Sequence, residues 1–418
     1  MEKLMEKLRE EPFKADKDIA VVGGGAAGLV AAISAARSGA SVLILERQER
    51  LGKKILVTGN GRCNFSNRGA QAACYHGDPS FAGAVLARFG VAETLRFFAE
   101  LGLLGREEGE GRLYPVSNQA NAVLDCLRLE TARLGVESRC GIPVVDIQPL
   151  AGGFRLRDAA GRDTFAKRLV LATGGAAKGG SLSGYELLTR LGQPQTPRFA
   201  ALTGIKIDHP ACRSLKGLRV KGEISLWQAG RCQRSERGEL QFTDYGLSGI
   251  AVFNLARLLH GAKDAWLQLD LLPEYTLAEL QEHLQAKQSR LQDFPVEDLG
   301  VGLLPKRLAQ ALLQESAPLP LSTSLGRAGA DVPAAFAKVV KCWRLRPLGA
   351  LPLTEAQITA GGAATTYIEP HTMASKCCPG LYLAGELVDI DGDCGGYNLQ
   401  WAWSSGFVAG ESAAKSLQ

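Results

Sequence analysis

Three glycines close to the start of the 418-residue chain have the spacing that lets a protein backbone approach a phosphate group. Gly23, Gly25 and Gly28 occupy the glycine positions of a G-x-G-x-x-G pattern. In such a pattern the first glycine permits a tight turn, the second lets the backbone approach a pyrophosphate, and the third allows a helix to pack closely. Glu46 follows at the end of the next apolar run, where an acid binds ribose hydroxyls. The pattern predicts a dinucleotide-binding turn.

The segments around these glycines predict the elements that position them. Residues 18–22, DIAVV, form a short β-branched run typical of a strand, and LVAAISAARSG after the turn is typical of a closely packed helix. Residues 40–46, ASVLILE, supply the next strand. This strand, helix and strand predict an α/β protein with a Rossmann-like domain, without distinguishing NAD from FAD.

A basic, glycine-rich segment favours FAD over NAD. Residues 50–67, RLGKKILVTGNGRCNFSN, follow the ribose-binding strand directly, and an NAD dehydrogenase requires no such loop. A flavin bound in an extended pose passes this point, so the loop can donate hydrogen bonds along it. Lys53 and Lys54 are equally well explained as side chains of a solvated loop.

Three segments later in the chain are predicted to contact the same cofactor. KRLVLATGG, residues 167–175, indicates a strand whose carboxyl end approaches the cofactor, and GIPVVDI, residues 141–147, a strand whose edge meets the adenine. A glycine turn at 360–362 predicts another close approach.

The segment AGELVDIDGDCGGYNLQWAWSSG, residues 384–406, predicts a strand end, a loop and a helix that returns to the first domain. A helix that begins near Asn398 directs its positive end at the flavin pyrimidine, where reduction places negative charge. A calcium loop is not expected, because Cys394 and Gln400 stand where a glycine and a bidentate acid are required. Trp401 and Trp403 cannot share one helix face, so at least one is expected in the core.

The predicted cofactor contacts come from all of these segments. They are Gly23, Gly25, Ala26, Ala27, Gly28, Glu46, Arg47, Lys53, Lys54, Asn60, Gly61, Arg62, Asn64, Val145, Thr173, Gly174, Gly175, Gly362, Gly385, Glu386, Asp391, Gly396, Tyr397, Asn398, Leu399 and Gln400.

An inserted domain is predicted between the two parts of the FAD-binding domain. We assign residues 1–195 and 346–418 to the FAD-binding domain and 196–345 to the insert, which is β-barrel-like over 196–272 and helical over 273–340. FTDYGLSG, residues 242–249, places Thr243, Asp244, Tyr245 and Ser248 on a loop. Asp244 and Tyr245 are candidate catalytic groups, and Asp244 and the hydroxyls are alternatively, or in addition, caps of the next helix. His371 and Tyr397 are the other candidate proton donors.

The sequence resembles the BaiN-like, or YhiN-like, flavoproteins from about Ile19 to Phe407. The resemblance rests on GGGAAG, GKKILVTGNGRCN, LATGG, FTDYGLSG and the segment 384–406. It implies a bacterial FAD-dependent oxidoreductase with a discontinuous FAD domain, and a family member is associated with reducing an enone in bile-acid intermediates. Where the family commonly has a TGDGY turn after LATGG, this chain has AAKGGSLSGYELL, which puts contacts from Lys178 to Tyr185 in doubt.

The function hypotheses start from a chain that is predicted to bind FAD and to have a single dinucleotide-binding domain. We expect NAD(P)H to reduce FAD and the flavin N5 to pass hydride to the electron-poor carbon of an enone, while a tyrosine or water protonates its neighbour. No second G-x-G-x-x-G follows a strand, so either the nicotinamide visits the substrate pocket or another electron donor serves. A flavin-bearing redox sensor and a flavin oxidase remain as alternatives.

Composition limits the remaining partners. A net charge of +5 with scattered basic residues gives little support for a nucleic-acid groove, and no membrane span or zinc spacing is evident. The N-terminal MEKLMEKLREEPFKADKD lacks the apolar core of a signal peptide. We therefore expect a cytoplasmic monomer or homodimer that acts on a small molecule and holds no metal. The adjacent Cys377 and Cys378 fit a plain loop or a redox pair.

Overall fold

The chain forms two compact units, as described by a computed structural model that covers residues 13–317 and 319–418. Unit 1 contains the described residues up to Phe199 together with Ile358–Gln418, and unit 2 is Ala200–Gln357. Most of the charged N-terminal segment discussed above lies outside the described residues. Residues 346–357 fall in unit 2 rather than in the FAD-binding part, because the strand at Pro347–Ala350 pairs within the sheet of unit 2.

Short helices and strands alternate along the chain. The helices are α1 Ala26–Arg37, α2 Pro79–Arg88, α3 Val91–Glu100, α4 Ala120–Arg133, α5 Ser183–Arg190, α6 Pro210–Ser214, α7 Ile250–Ala256, α8 Leu277–Arg290, α9 Lys306–Ser316, α10 Val332–Lys341 and α11 Tyr397–Lys415. The strands are β1 Lys17–Val22, β2 Val42–Leu45, β3 Ser66–Asn67, β4 Tyr75–Gly77, β5 Gly105–Glu108, β6 Arg112–Pro115, β7 Glu137–Arg139, β8 Val144–Leu150, β9 Gly153–Asp158, β10 Asp163–Leu171, β11 Phe199–Ala201, β12 Ile205–Ile207, β13 Arg219–Gln228, β14 Arg231–Phe242, β15 Gly246–Ser248, β16 Ala265–Asp270, β17 Trp343–Leu345, β18 Pro347–Ala350, β19 Ile358–Ala360, β20 Leu381–Leu383 and β21 Ile390–Gly392. Among the described residues, no helix combines the length and apolar character needed to cross a bilayer.

The main sheet of unit 1 places the predicted nucleotide segments side by side. Its strand order is β7-β2-β1-β10-β9-β8, and β20 also pairs with β10. Strands β7, β2, β1, β10 and β20 are parallel, whereas β8 and β9 are antiparallel additions. The last four residues of the central β1, from Ile19 to Val22, are all apolar and buried because parallel strands are covered on both faces. The carboxyl ends of β1, β2, β10 and β20 therefore meet at one edge.

Helix α11 packs directly on α1, and small residues make this possible. A methyl group built on Gly410 would lie 2.0 Å from the carbonyl oxygen of Ala31, so the two backbones touch where α11 has no side chain and α1 has only a methyl group. Trp401 and Trp403 on α11 are both almost fully buried, which confirms the expectation that at least one would be core. Their indole N–H groups donate to Gly385 and Phe65 backbone oxygens at 3.1 and 2.7 Å.

Unit 2 combines a curled sheet with helices. The strand order is β17-β16-β13-β14-β15-β12-β18, and the two edge strands are separated in the chain only by Arg346. The sheet must therefore curl until its edges adjoin, as a barrel-like sheet does. Helix α8 begins with a capping box, in which the Thr276 hydroxyl accepts from the Glu279 N–H at 3.2 Å. Helices α8, α9 and α10 contribute apolar side chains to the separate core of this unit.

Candidate functional site

The glycine-rich turn has three different environments at its three glycines. A methyl group on Gly23, which has φ 105°, would lie 2.4 Å from the Ala172 carbonyl oxygen, and one on Gly28 would lie 1.8 Å from the Gly23 carbonyl oxygen. These two positions therefore need glycine for the turn and for packing. A methyl group on Gly25 would meet no atom of the described chain within 4 Å. The backbone at Gly25 is thus the part of the turn that a ligand can approach.

The first turn of α1 offers hydrogen-bond donors at the same place. Gly25 is the N-cap and supplies no side-chain acceptor. The first N–H groups of a helix have no intrahelical partner, and the helix dipole adds positive potential there. The N–H groups of Ala26, Ala27 and Gly28 are therefore suited to an anion such as pyrophosphate.

The carboxylate of Glu46 is buried beside the turn. Its two oxygens accept hydrogen bonds from the backbone N–H groups of Gly24, at 2.6 Å, and Gln48, at 2.8 Å. A carboxylate can accept about four hydrogen bonds, so two positions remain for ribose hydroxyls. The neighbouring Arg47 is exposed and donates to the Gly179 carbonyl oxygen at 3.2 Å.

The two lysines of the basic loop have different environments. Lys54 forms an ion pair of 2.6 Å with Glu386, which follows strand β20. The exposed Lys53 instead contacts Gln48 at 3.3 Å. Lys54 therefore joins the nucleotide half of the site to the C-terminal segment, whereas Lys53 fits a solvated loop.

Sequence reasoning missed Thr359, which organises the loop after β10. Its hydroxyl accepts from the N–H groups of Ala176 and Ala177 at 2.9 and 3.0 Å, and its own N–H donates to Glu386 at 2.9 Å. A methyl group on Gly175 would lie 2.1 Å from the same Glu386 carboxylate. Nothing in the local pattern around Thr359 could have identified this role, because the contacts depend on distant segments.

The loop at 59–64 is held in left-handed backbone conformations. Gly59, Asn60, Gly61 and Cys63 have φ between 54° and 83°. For Asn60 and Cys63 such conformations are strained, and strain of this kind concentrates at functional sites. Cys63 is fully buried, and burial raises the pKa of its thiol to about 12. It therefore acts here as a small apolar side chain.

Arg62 is fixed by three partners rather than extended into solvent. Its guanidinium pairs with Glu108 at 2.5 Å, donates to the Asn118 amide oxygen, and lies 4.1 Å from the centre of the Tyr114 ring. The Arg62 and Arg106 guanidinium groups lower the pKa of Glu108. Glu108 and Tyr114 lie on β5 and β6, and Asn118 follows β6. These contacts with Arg62 could not be predicted from the sequence, because they join segments about 50 residues apart.

Two glycines, Gly395 and Gly396, directly precede the first turn of α11. Gly396 is the N-cap with φ 103°, and a methyl group there would lie 2.4 Å from the Ser66 carbonyl oxygen. Asn398 both donates to and accepts from the Gly392 backbone at 2.8 and 2.9 Å, which ties the preceding loop to the helix. The missed residue Asn67 donates to the Gly395 carbonyl oxygen at 2.9 Å.

Other residues of α11 have mainly structural contacts. Gln400 is fully buried, and its amide is occupied by Ser66, Thr94 and Ser404 at 2.6 to 2.9 Å. Leu399 is half-buried against the core of unit 1. The side chain of Gln400, which we predicted to contact the cofactor, is instead hydrogen-bonded within the protein.

The remaining predicted contacts lie on tight turns or at a strand irregularity. Gly362 and Gly385 have φ of 148° and 72°, and a methyl group on Gly362 would lie 2.4 Å from the Leu387 carbonyl oxygen. Val145 lies at a bulge of β8, where the register passes from Val144 to Asp146, and its side chain is exposed. Asp391 is buried in β21 opposite His76 of β4.

The four candidate proton donors are divided between the two units. Asp244 and Tyr245 belong to unit 2, where exposed Asp244 pairs with Lys216 at 2.6 Å and that lysine lowers its pKa. The alternative that these residues cap α7 is wrong, because Gly249, with φ 115°, is the N-cap and no side chain caps the helix. His371 is an exposed residue of unit 1.

Tyr397, at the start of α11, is the candidate beside the other predicted contacts. Its ring packs edge-on against Tyr75, with centroids 6.4 Å apart, and its backbone oxygen accepts from the Tyr75 hydroxyl at 3.0 Å. Desolvation, with smaller contributions from Cys74 and Asp393, raises the pKa of Tyr397 to about 12. The phenol therefore stays protonated at neutral pH.

Two polar atoms test whether these residues fit an extended dinucleotide. Among the described residues, the buried Asn64 Oδ1 and Thr173 Oγ1 have no hydrogen-bond partner. Buried polar atoms are normally bonded, and these two are among eight such side-chain atoms that lack a partner within the described residues, so they support a ligand contact only together with their position. They lie in the two segments that we predicted to face the cofactor, and Gly25 and Gly174 both have open space where a side chain would be. The residues present therefore fit FAD.

Comparison with known proteins identifies the family and the fold. The model of the HI0933-like protein Rossmann domain matches residues 17–412. The 3-dehydro-bile acid delta(4,6)-reductase of Clostridium scindens is 39% identical over 418 residues, 95% of this chain and 99% of that protein. The ribosomal RNA dihydrouridine synthase of Escherichia coli is 30% identical over 408 residues, 96% and 99% of the two chains.

Solved structures show the same fold at low sequence identity. The 3-ketosteroid delta1-dehydrogenase of Sterolibacterium denitrificans aligns with a TM-score of 0.52 and 15% identity, over 96% of this chain and 99% of that chain. A flavocytochrome c3 fumarate reductase aligns with a TM-score of 0.50 and 17% identity, over 99% and 80%. The chain therefore belongs to the HI0933-like Rossmann family and is an FAD-type oxidoreductase.

Proposed function

We propose that this oxidoreductase holds FAD in unit 1 and reduces a carbon–carbon double bond conjugated to a carbonyl group of a small molecule, with NAD(P)H as the reductant. The observation that carries the proposal is the 39% identity, over nearly the whole chain, to a reductase named for the delta(4,6) bonds of a 3-dehydro bile acid. The other relative is named for converting uridine to dihydrouridine, which also saturates a ring bond next to a carbonyl. Reduction of such a bond is thus the chemistry common to both names.

The contacts of unit 1 support the assignment of the cofactor ends. The donors of the first turn of α1, beside the open position at Gly25, suit the pyrophosphate, and the free lone pairs of Glu46 suit the adenosine ribose. The interrupted pairing at Val145 leaves a strand edge for the adenine. The loop at 59–64 and the first turn of α11 are then left for the flavin ring.

The chain's own residues supply charge stabilisation and a proton. FAD, when bound, supplies the hydride that the electron-poor carbon of the substrate accepts. With FAD bound in this way, the N–H groups of the first turn of α11 and the positive end of its dipole would stabilise the negative charge that reduction puts on the flavin ring. The hydroxyl of Tyr397, protonated at neutral pH, donates a proton to the neighbouring carbon.

Anaerobic stopped-flow spectroscopy tests the proposal in two steps. The purified protein should show flavin absorbance, which NADH or NADPH should bleach. A panel of steroid and quinoid enones should then restore the absorbance faster than air does. Bleaching by neither nucleotide refutes NAD(P)H as donor, and reoxidation that is fast only with oxygen favours an oxidase. Protein that contains no flavin and cannot be reconstituted with FAD refutes the proposal as a whole.

Uridine in ribosomal RNA is a second candidate substrate. It is favoured by the relative of Escherichia coli, which covers 96% of this chain. Incubation of the reduced protein with unmodified ribosomal RNA, followed by mass spectrometry of the nucleosides, separates the two candidates. A gain of two mass units in uridine, without turnover of any enone, would replace the small-molecule substrate by RNA.

A further inference from the structure

We infer that the side-chain oxygen of Asn64 accepts a hydrogen bond from the imide N–H of the flavin pyrimidine ring and thereby selects that edge of the cofactor. The inference rests on the proposed binding of FAD in unit 1, and it assigns an acceptor role to a residue for which the sequence predicted only a donor. A cyclic imide presents a carbonyl, an N–H and a second carbonyl in a row. Its complement is an acceptor flanked by donors.

The acceptor of this arrangement is the buried Oδ1 atom of Asn64. Within the described part of the chain no donor reaches it. A buried acceptor without a donor is destabilising, and proteins normally avoid it. The oxygen lies close to the cap of α11, since a methyl group built on Gly396 would be 2.8 Å from it.

The donors lie in the first turn of α11. Gly396 supplies no side-chain cap, and the first N–H groups of a helix have no intrahelical partner. The Gly396 carbonyl accepts from the N–H of Gln400 at 3.1 Å, so the first turn is regular and its preceding N–H groups point along the axis. Asn64 and α11 together therefore present one acceptor beside a row of donors.

The position of Asn64 is fixed from both sides in the chain. The N–H of Cys63 bonds to the Thr58 carbonyl at 3.0 Å, and the N–H of Phe65 bonds to the Leu113 carbonyl at 2.9 Å. The Phe65 carbonyl in turn accepts from Trp403 of α11 at 2.7 Å. A methyl group on Gly59 would lie 2.7 Å from the Asn64 nitrogen. The strained backbone of the loop at 59–64 thus holds the side-chain amide of Asn64 in one position, as a preorganised contact requires.

Titration of the apoprotein with FAD and with 3-methyl-FAD, followed by flavin fluorescence, tests the inference without measuring turnover. The methyl group removes the imide N–H, so the wild-type protein should bind 3-methyl-FAD at least about tenfold more weakly than FAD, as expected for one lost hydrogen bond and an unpaired buried oxygen. Asn64→Ala should bind the two flavins within about threefold of each other. Asn64→Asp retains an acceptor and should still discriminate.

The outcomes separate this inference from the proposed function. Equal affinity of the wild-type protein for FAD and 3-methyl-FAD overturns the inference while leaving FAD binding intact, and this comparison requires no variant to fold. Discrimination that survives in Asn64→Ala overturns it as well. Competition of FAD by uridine, with normal binding of 3-methyl-FAD, would assign Asn64 to a uracil base instead. Failure to bind either flavin would remove the proposed function itself.

Discussion

Gly406 of helix α11 lies directly on Ala27 of helix α1, so that a methyl group at residue 406 would stand 2.3 Å from the Ala27 carbonyl oxygen. Ala27 belongs to the first turn of α1, and α11 begins beside Asn64. This backbone contact joins the two ends of the candidate cofactor site. The distance between the first turns of α1 and α11, which the candidate site combines, therefore depends on how closely these two helices approach.

Substitution of Gly406 by alanine should move α11 away from α1. Overpacking of this kind typically costs about 1–3 kcal/mol of the free energy of unfolding, and FAD affinity should fall with it because the two ends of the site separate. Urea denaturation of the apoprotein and FAD titration measure the two effects. Gly109→Ala is the control, since a methyl group there meets nothing within 4 Å. Equal stability of the two variants would contradict the contact.

Substitution of Glu46 by glutamine should weaken FAD binding by about tenfold or more. Glutamine replaces one acceptor oxygen by an NH₂ group, which would face a backbone N–H of Gly24 or Gln48 and leave a buried donor unpaired, at about 1–3 kcal/mol. Isothermal titration of the apoprotein with FAD measures the loss. Glu49→Gln changes an exposed neighbour and should bind as the wild type does. A normal affinity of Glu46→Gln would exclude Glu46 from the ribose contact.

Acid sensitivity of unit 1 should depend on Glu130 of α4. Arg133 and Arg37, at 2.6 and 2.8 Å, hold its pKa at about 2, below the ordinary 4.5. Because the folded-state pKa is the lower one, the stabilisation is complete above about pH 4.5 and is lost as the pH falls towards 2. Glu130→Gln should therefore be about 1–3 kcal/mol less stable at pH 6 and equal to the wild type near pH 2.

Urea denaturation at several pH values measures this difference in unfolding free energy. Asp125→Asn is the matched control on the same helix, because that carboxylate is exposed and lies 3.7 Å from its arginine. A difference between Glu130→Gln and wild type that stays constant down to pH 2 would show that the carboxylate charge is not its cause.

Substitution of Tyr397 by phenylalanine should slow reoxidation of the reduced protein by an enone about 100-fold, the scale of a lost general acid. Reduction by NAD(P)H and the flavin absorbance should change little, since the ring packing against Tyr75 remains. Single-turnover stopped flow separates the two half-reactions, and Tyr367→Phe serves as an exposed control. Unaltered reoxidation in Tyr397→Phe would move the proton donor to another residue or to water.

The sequence predicted those parts of the site that depend on local pattern. Gly23 and Gly28 were predicted from their spacing, and the structure shows that a side chain at either position would clash with the backbone. The end of the preceding strand is apolar because both of its faces are covered. The start of α11 at Tyr397, one residue from the predicted Asn398, likewise follows from the preceding glycines.

Pairings between distant segments could not be predicted in this way. The contacts of Arg62 with Glu108, of Lys54 with Glu386 and of Gln400 with Thr94 join residues whose separation in the chain carries no period. The closure of the second sheet through Arg346 was missed for the same reason. We assigned the residues after 345 to the FAD-binding domain, whereas β18 pairs with β12 of unit 2, about 140 residues earlier in the chain.

The contact between α1 and α11 also has a consequence for biosynthesis. Residues around 400 leave the ribosome more than 350 residues after the glycine turn, which at 5–20 residues per second corresponds to roughly 20–70 s. Throughout that interval α1 lacks the packing of α11, and the part of the candidate site that α11 contributes has not yet been made. If FAD binds as proposed, its site is completed only after the intervening unit has been translated.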